Sequence, residues 1–235
     1  MDWKKGWIIE AGVIAIGLAV LGFCLKAGID NYIDRGRVVS VKGLAETEVA
    51  ADKVTWPIVF KEMGDDLPSL YNRVSNVTQS IKKFLIANGL TEDEISVNPP
   101  KVDDYAANQY ASNINYRYYI TGVITVTSSK VEMVRTLMVK QSELLQQGIA
   151  IVDGGYENGV TYEYTKFNEL KPKMLEEATQ NARKSADEFA KNSDSTVGKI
   201  VSANQGVFSI ENRDDNSPHI KKIRVVTSID YQLNN

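Results

Sequence analysis

The feature that most constrains this chain is an apolar segment near its start that is long enough to cross a lipid bilayer. Every residue from Ala11 to Leu25 is apolar or glycine, and the segment with its apolar flanks covers residues 7–29. A helix needs about 20 such residues to cross a hydrocarbon core of about 30 Å. The charged residues Glu10 and Lys26 lie near its ends, where their side chains reach the headgroups.

We interpret this segment as a retained membrane anchor. A signal peptide has small neutral residues at its cleavage site. In this segment Phe23 and Lys26 occupy the corresponding positions after the apolar residues. A soluble core helix is the other alternative, because glycines are spaced through the segment, but glycine is also frequent in membrane helices. The anchor side chains that we expect to contact lipid are Trp7, Ile14, Leu18, Leu21 and Leu25.

The anchor predicts a division of the chain into four parts. These are a short cytoplasmic tail (1–6), a transmembrane signal anchor (7–29), a linker (30–37) and an exterior domain of two intertwined lobes (38–233). Basic residues on both sides leave the orientation open, but a short tail before a long domain is typical of a signal anchor. We therefore predict a single-pass protein of the inner (cytoplasmic) membrane, with its bulk in the periplasm or on the extracellular side.

The composition of the exterior part excludes several functional classes. It carries about four more acidic than basic residues and has no dense basic cluster, so nucleic acid is not an expected partner. It contains no cysteine and a single histidine, His219, which we interpret as a solvated loop residue. Zinc sites built on several histidines and histidine-based catalytic triads therefore do not fit this chain.

Local patterns predict strands at the start of the exterior part and a helix after them. The stretches VVSVKGLAETEV and KVTWPIVFKEM are rich in β-branched residues and predict a hairpin, in which Pro57 requires an edge position or a bulge. An acidic cap precedes Pro68, and Gly89 ends the helix. Its predicted apolar stripe consists of Leu70, Val74, Val77, Ile81 and Phe84.

Two further amphipathic helices follow. Ser129 and Glu132 form an S-x-x-E pattern that predicts a capping box for a helix ending at Gly148. The third helix, LKPKMLEEATQNARKSADEFAKNSD, presents mostly small residues inward, which allows close packing. Its predicted inward residues are Leu175, Ala178, Ala182, Ser185 or Ala186, Phe189 and Ala190.

The order of these elements predicts an α+β fold. Strands and helices follow as ββ, α, ββ, α, β, α, ββ, an order that does not suit a doubly wound parallel sheet. We expect antiparallel β hairpins with about three amphipathic helices packed on the sheets, preceded by one N-terminal transmembrane helix.

The combination resembles one family of bacterial envelope proteins. VSVKGLAETEVAADKV, ISVNPPKVDDYAANQY, EEATQNARKSADEFAKNSDSTVGKIVSA and IRVVTSIDYQL are similar to segments of the SIMPL-domain family, the YggE-like proteins. The resemblance implies an α+β envelope protein without an established catalytic activity, linked to oxidative and general stress tolerance. It also implies assembly, since some members form large homo-oligomers. The retained anchor differs from the soluble periplasmic members and suggests attachment to the membrane.

A tyrosine-rich polar loop, residues 103–119, is the best candidate interface. Tyrosine offers a large contact area and a hydroxyl group at little entropic cost. We interpret Tyr116, Tyr118 and Tyr119 as residues in or beside a strand that pack within the sheet, and Tyr105 and Tyr110 as the better interface candidates. The candidate contact residues in this region are Tyr105, Tyr110 and Tyr116.

Acidic pairs provide the remaining candidate chemistry. Asp65–Asp66, Asp103–Asp104 and Asp214–Asp215 carry carboxylates that suit calcium, but none lies in a calcium-loop motif. A carboxylate-dependent hydrolase needs two such groups facing each other across a cleft, a distance that the sequence does not give. We predict no catalytic, metal or cofactor site.

These observations favour a non-enzymatic, membrane-anchored protein whose main partners are copies of itself and the lipid bilayer. The alternative is an envelope ligand-binding or sensor module that uses the tyrosine-rich loop and binds an unidentified small ligand. A hydrolase is the third and weakest hypothesis.

Overall fold

The computed structural model describes residues 3–34, 37–107 and 115–234, with side chains described for residues 12–29 of the first range. The fold is α+β with antiparallel sheets, as predicted from the order of elements. The helices are α1 (Trp3–Asp34), α2 (Leu67–Ala87), α3 (Val131–Lys140), α4 (Ser142–Gln146) and α5 (Phe167–Asn192). The strands are β1 (Val38–Ala50), β2 (Lys53–Gly64), β3 (Ile95–Val97), β4 (Lys101–Asp104), β5 (Tyr118–Ser128), β6 (Ile151–Val152), β7 (Thr161–Glu163), β8 (Thr196–Gln205), β9 (Ser209–Asn212) and β10 (Ile220–Asn234).

The described side chains of helix α1, those of residues 12–29, are not covered by the rest of the described chain. The segment Gly12–Ile29 is the one described segment long and apolar enough to cross a membrane, and none of it is buried. The core helix of a soluble protein would bury such residues, whereas a membrane anchor or a signal peptide would not. Among the predicted lipid contacts, Ile14, Leu18, Leu21 and Leu25 are exposed, while the side chain of Trp7 lies outside the described residues.

The chain divides into two compact units that share segments distant in sequence. The first unit consists of Met1–Thr47, Leu170–Ser209 and Arg224–Asn235, and the second consists of Glu48–Glu169 and Ile210–Ile223. Strands β1 and β10 and helix α5 each contribute residues to both units.

The predicted hairpin of β1 and β2 is wrong, because the two strands lie in different sheets. Strand β1 pairs with β10, and hydrogen bonds from Leu233 N to Arg37 O and from Ala51 N to His219 O mark the two ends of this pairing. The short segment after β1 is held by Asp52, whose carboxylate accepts hydrogen bonds from the backbone NH groups of Thr165 and Lys166. Strand β2 then enters the second sheet.

The second sheet has the order β3-β5-β2-β6, with β4 also paired to β5 and β7 also paired to β2. Strand β2 pairs with β5 from Val54 to Gly64. On its other side, β7 pairs with Lys53–Thr55 and β6 pairs with Val59 and Phe60, so Pro57 lies between these short strands. Proline lacks the backbone NH group that donates a hydrogen bond to a neighbouring strand. Because neither β6 nor β7 pairs with Pro57, this residue has the environment of an edge strand although β2 lies inside the sheet.

Helix α2 covers one face of the second sheet, as its periodicity predicted. Asp66 caps its first turn by accepting a hydrogen bond from Ser69 N at 3.0 Å, and Gly89 follows its end with φ +100°. Val77 of the predicted stripe is partly buried. The core between α2 and the sheet contains the large buried side chains of Ile58, Phe60, Leu70, Ile81, Leu85, Ile120 and Ile124.

The predicted capping box at Ser129 and Glu132 is also wrong. Lys130 is the N-cap of α3, and Glu132 instead forms an ion pair with Arg135 at 2.8 Å. The helical segment is interrupted at Gln141, and its second part, α4, precedes Gly148, which has φ +83°.

Helix α5 covers the first sheet, whose strands follow the order β1-β10-β8 with β9 also paired to β10. Ala178, Ala182, Ala186 and Ala190 are all buried. At Gly43 of β1 a side chain would collide with the α5 backbone at Ala178 and Ala182, so helix and strand approach with no room for a Cβ atom. Of the other predicted inward residues, Leu175 is half-buried, whereas Ser185 and Phe189 are exposed, and Met174 is buried instead.

Candidate functional site

The described ends of the tyrosine-rich loop are held together by an ion pair. The Arg117 guanidinium donates hydrogen bonds to Asp104 from Nε at 3.2 Å to Oδ1 and from Nη2 at 3.0 Å to Oδ2. Tyr105 N also donates to Arg117 O at 2.9 Å. Because Asp104 ends β4 and Arg117 directly precedes β5, these contacts join the two strand ends from which the loop leaves the sheet.

Arg117 makes further contacts that fix this arrangement. Its backbone NH donates to Asp65 Oδ1 at 2.9 Å, and its guanidinium lies 4.8 Å from the ring centroid of Tyr118. Hydrogen bonding from Arg117 holds the pKa of Asp104 below its ordinary value, and the same bond raises the pKa of Arg117. The pair therefore stays ionised and holds the two described ends of the loop together.

The three candidate interface tyrosines have different placements. The ring of Tyr105 lies 4.6 Å from that of Tyr119, centroid to centroid, and Tyr105 is still 41% exposed. Tyr116 is likewise 41% exposed, whereas Tyr110 lies outside the described residues. A shallow concavity beside the loop is lined by Lys101, Val102, Asp103, Asp104, Tyr105 and Ala107.

The acidic pairs proposed from the sequence hold local structure together. Asp66 caps α2, and Asp214 forms an ion pair with Arg213 at 2.9 Å. Hydrogen bonds from Ser69 and Arg213 lower the pKa values of Asp66 and Asp214, respectively. A general acid needs the opposite shift. Within the described ranges, no group of three histidine, cysteine or acidic residues is placed to hold a metal ion.

A second polar network, which the sequence analysis missed, surrounds Glu94. Its carboxylate accepts hydrogen bonds from Ser128 Oγ at 2.6 Å, from Thr91 N at 2.9 Å and from Lys130 Nζ at 3.1 Å. Partial desolvation acts to raise its pKa, but these hydrogen bonds outweigh desolvation and lower the pKa to about 2. The pattern T-x-x-E at Thr91 and Glu94 is the capping-box signal that identifies this network from sequence.

His219 is less solvated than its loop sequence suggested. It is half-buried, its ring lies 6.1 Å from that of Tyr162, and its carbonyl oxygen accepts a hydrogen bond from Ala51 N. These contacts give His219 a packing role within the second unit.

Strand β8 has an exposed outer edge that the periodicity did not reveal. It ends the strand order β1-β10-β8, so its outer edge has no strand partner among the described residues. Ile200 and Val201 are 55% and 56% exposed, respectively. Two register shifts in its pairing with β10 interrupt the regular ladder, a device that limits edge-to-edge association.

Comparisons with known proteins identify the family. A search of curated proteins found no match. Residues 39–225 match the family model described as SIMPL, protein of unknown function (DUF541). This match covers most of the chain beyond α1, including α2 to α5, β2 to β9 and parts of β1 and β10. The protein therefore belongs to the SIMPL family.

Proposed function

We propose that this SIMPL-family protein is a non-enzymatic, membrane-anchored envelope protein that assembles with copies of itself and supports envelope or oxidative stress tolerance. The observation that carries the proposal is helix α1, whose described segment Gly12–Ile29 is apolar and unburied and which ends a few residues before β1. Water does not tolerate an apolar surface of this length, whereas a bilayer covers it completely. In this proposal α1 is a single-pass anchor of the inner membrane, and both units lie on the periplasmic or extracellular side.

Anchoring favours self-association. Chains that are confined to one membrane surface have a raised effective concentration, so modest contacts between their folded units suffice for assembly. The outer edge of β8, with exposed Ile200 and Val201, is the surface that we propose for this contact. The register shifts of β8 and the charge of Lys199 oppose unlimited edge-to-edge addition, which favours a closed assembly over a fibre.

The electrostatics of the described acidic residues do not favour the alternative of a carboxylate-dependent hydrolase. Each carboxyl group with a resolved shift has a lowered pKa, because hydrogen-bond donors surround it. Such groups stay ionised and act as caps and ion-pair partners. A hydrolase instead needs one carboxyl group whose environment keeps its proton near neutral pH.

The absolute mass of the full-length protein in mild detergent, measured by light scattering, tests the assembly. A chain beginning at Asn31 serves as the comparison. We expect both to have the same large multiple of the monomer mass, and the double substitution Ile200→Lys and Val201→Lys to lower that multiple. The matched control is Val139→Lys on α3, which alters another exposed apolar residue. Monomeric full-length protein at every concentration would contradict self-association.

The proposed stress role needs a cellular test. Cells that lack this protein should survive peroxide less well, and the wild-type chain should restore survival more fully than the β8 double variant. Equal restoration by both chains would separate stress tolerance from assembly through β8.

A second candidate function, capture of a small envelope ligand, is favoured by the concavity beside Tyr105. We expect Tyr105→Ala to abolish retention of such a ligand from an envelope extract while the assembly mass stays unchanged. If the assembly mass falls instead, the loop is a contact between copies.

A further inference from the structure

One rim of the first unit lies close to the proposed anchor along the chain. Helix α1 continues for five residues beyond Ile29, a rise of about 8 Å, and ends at Asp34. Three more residues, which extend by at most about 11 Å, lead to Arg37, whose carbonyl oxygen accepts the hydrogen bond from Leu233 N. This end of the first sheet is therefore held within about 20 Å of the hydrocarbon boundary.

The same rim contains the end of helix α5. Ala190 shares a buried cluster with Leu233, the donor of this hydrogen bond, and with Val39, two residues after its acceptor. Ser195 N donates to Ala190 O, and β8 then begins at Thr196, which pairs with Asn234. The last turn of α5, the start of β8 and the end of β10 thus lie together on the side of the unit to which the anchor is connected.

Phe189 is the exception on the exposed face of α5. It is 53% exposed and is the one large apolar side chain exposed on this fully described helix. Its neighbours Glu188 and Lys191 are also exposed, and Asp194 follows the helix end. The acidic side chains offset the charge of Lys191. This turn therefore presents an aromatic ring and carries no net positive charge.

We propose that the last turn of α5 contacts the bilayer surface and that Phe189 inserts its ring at the level of the lipid headgroups. The headgroup layer is about 5–8 Å thick on each side, and aromatic side chains favour this region. This inference rests on the proposed anchoring of α1, which brings the rim to the membrane. A second lipid contact would fix the orientation of the first unit above the bilayer and would restrict which surfaces are free to meet another copy.

Spin labels on the full chain in phosphatidylcholine vesicles test this contact. Cys24, the one cysteine of the sequence, lies within the proposed span and is labelled in the wild-type chain. The other labels are placed in a Cys24→Ser background by Phe189→Cys and, as a matched control, by Val207→Cys. Val207 is 92% exposed and lies two residues beyond the far end of β8, a strand of 10 residues that spans about 33 Å.

Collisions of each label with oxygen, which concentrates in lipid, and with a water-soluble nickel complex report its depth. We expect the label at position 24 to meet oxygen, the label at 207 to meet nickel, and the label at 189 to have a nickel collision rate at least ~3-fold below that at 207. Equal nickel rates at 189 and 207 would overturn the proposal. Shielding of position 189 from both reagents would also overturn it, in favour of contact with a second copy.

Two further measurements separate the possible failures. If the label at Cys24 meets nickel as readily as the label at 207, the anchor itself fails, and the lipid contact fails with it. A label introduced by Asn192→Cys leaves Phe189 in place and is expected near the headgroups. Adding Phe189→Ser should raise its nickel collision rate to the value at 207, and an unchanged rate would overturn the role of the phenylalanine ring.

Discussion

Helices α2 and α5 each cover one face of an antiparallel sheet, but they do so with side chains of opposite size. Between α2 and its sheet the second unit buries large residues, such as Leu70 and Ile81 of the helix and Phe60 of β2. Beneath α5 the first unit buries alanines, and the helix backbone reaches Gly43 of β1. The comparison teaches that one helix is held by interlocking side chains and the other by the approach of two backbones. The two units should therefore respond differently to added and removed volume.

Removing volume should have its largest effect in the second unit. The ring of Phe60 lies over Gly122 of the adjacent strand and is 1% exposed. Phe60→Ala leaves a cavity that the surrounding sheet cannot fill, so we expect the free energy of unfolding to fall by about 4 kcal/mol. Hydrogen exchange read by mass spectrometry on peptides from β2 and β5 measures this loss. Unchanged protection of these peptides would show that the core repacks.

Adding volume should have its largest effect in the first unit. Gly43→Ala places a Cβ atom against the backbone of Ala178, so helix and strand must separate, at a cost of about 3 kcal/mol. Hydrogen exchange of α5 peptides measures the effect. Gly159→Ala is the matched control, because its Cβ atom meets open space and the change should be nearly neutral. Equal effects of the two substitutions would contradict backbone contact as the basis of α5 packing.

Acid should act first on the second unit, through Glu94. A carboxyl group with an ordinary pKa of 4.5 in the unfolded chain and about 2 in the folded chain stabilises the fold above pH 4.5. This contribution is lost as the pH falls from about 4.5 towards 2. After allowance for solvent screening, it amounts to about 1–2 kcal/mol.

Glu94→Gln removes the charge while keeping the shape of the side chain. We expect the variant to be less stable than the wild type at pH 7 and equal to it near pH 2, as measured by urea unfolding at each pH. A difference that persists unchanged at the lowest pH would show that the loss arises from packing and not from ionisation.

The sequence identified features that depend on neighbouring residues and missed those that depend on distant ones. The stripe and caps of α2 follow from spacing within one helix. The β1–β2 hairpin was wrong because the partner of β1, strand β10, comes from the other end of the chain. Phe189 was misplaced because adjacent residues on a helix point about 100° apart, and the buried spacing of four residues ends at Ala190.

The candidate site follows the same division. The exposure of Tyr105 was predictable from the polar composition of its loop, whereas Tyr116, predicted to pack beside a strand, is equally exposed. The Arg117–Asp104 pair was not predictable, because it requires β4 and β5 to be adjacent and both side chains to adopt matching rotamers. The β8 edge was missed for a related reason: periodicity describes the faces of a strand and does not indicate which strand ends a sheet.

The smallest expected effect concerns single hydroxyl groups, and here the two units differ again. Thr227 of the first unit is 6% exposed, and its Oγ1 makes no hydrogen bond within the described parts of the chain. Ser128 of the second unit is 3% exposed and donates to Glu94. Thr227→Val replaces an unpaired buried hydroxyl with a methyl group and should stabilise the protein by about 1 kcal/mol, whereas Ser128→Ala should destabilise it by at least about 1 kcal/mol. Thermal unfolding monitored by circular dichroism distinguishes the two signs. A lower melting temperature for Thr227→Val would mean that this hydroxyl has a hydrogen-bond partner in solution, and the polar groups of both units would then be equally well satisfied.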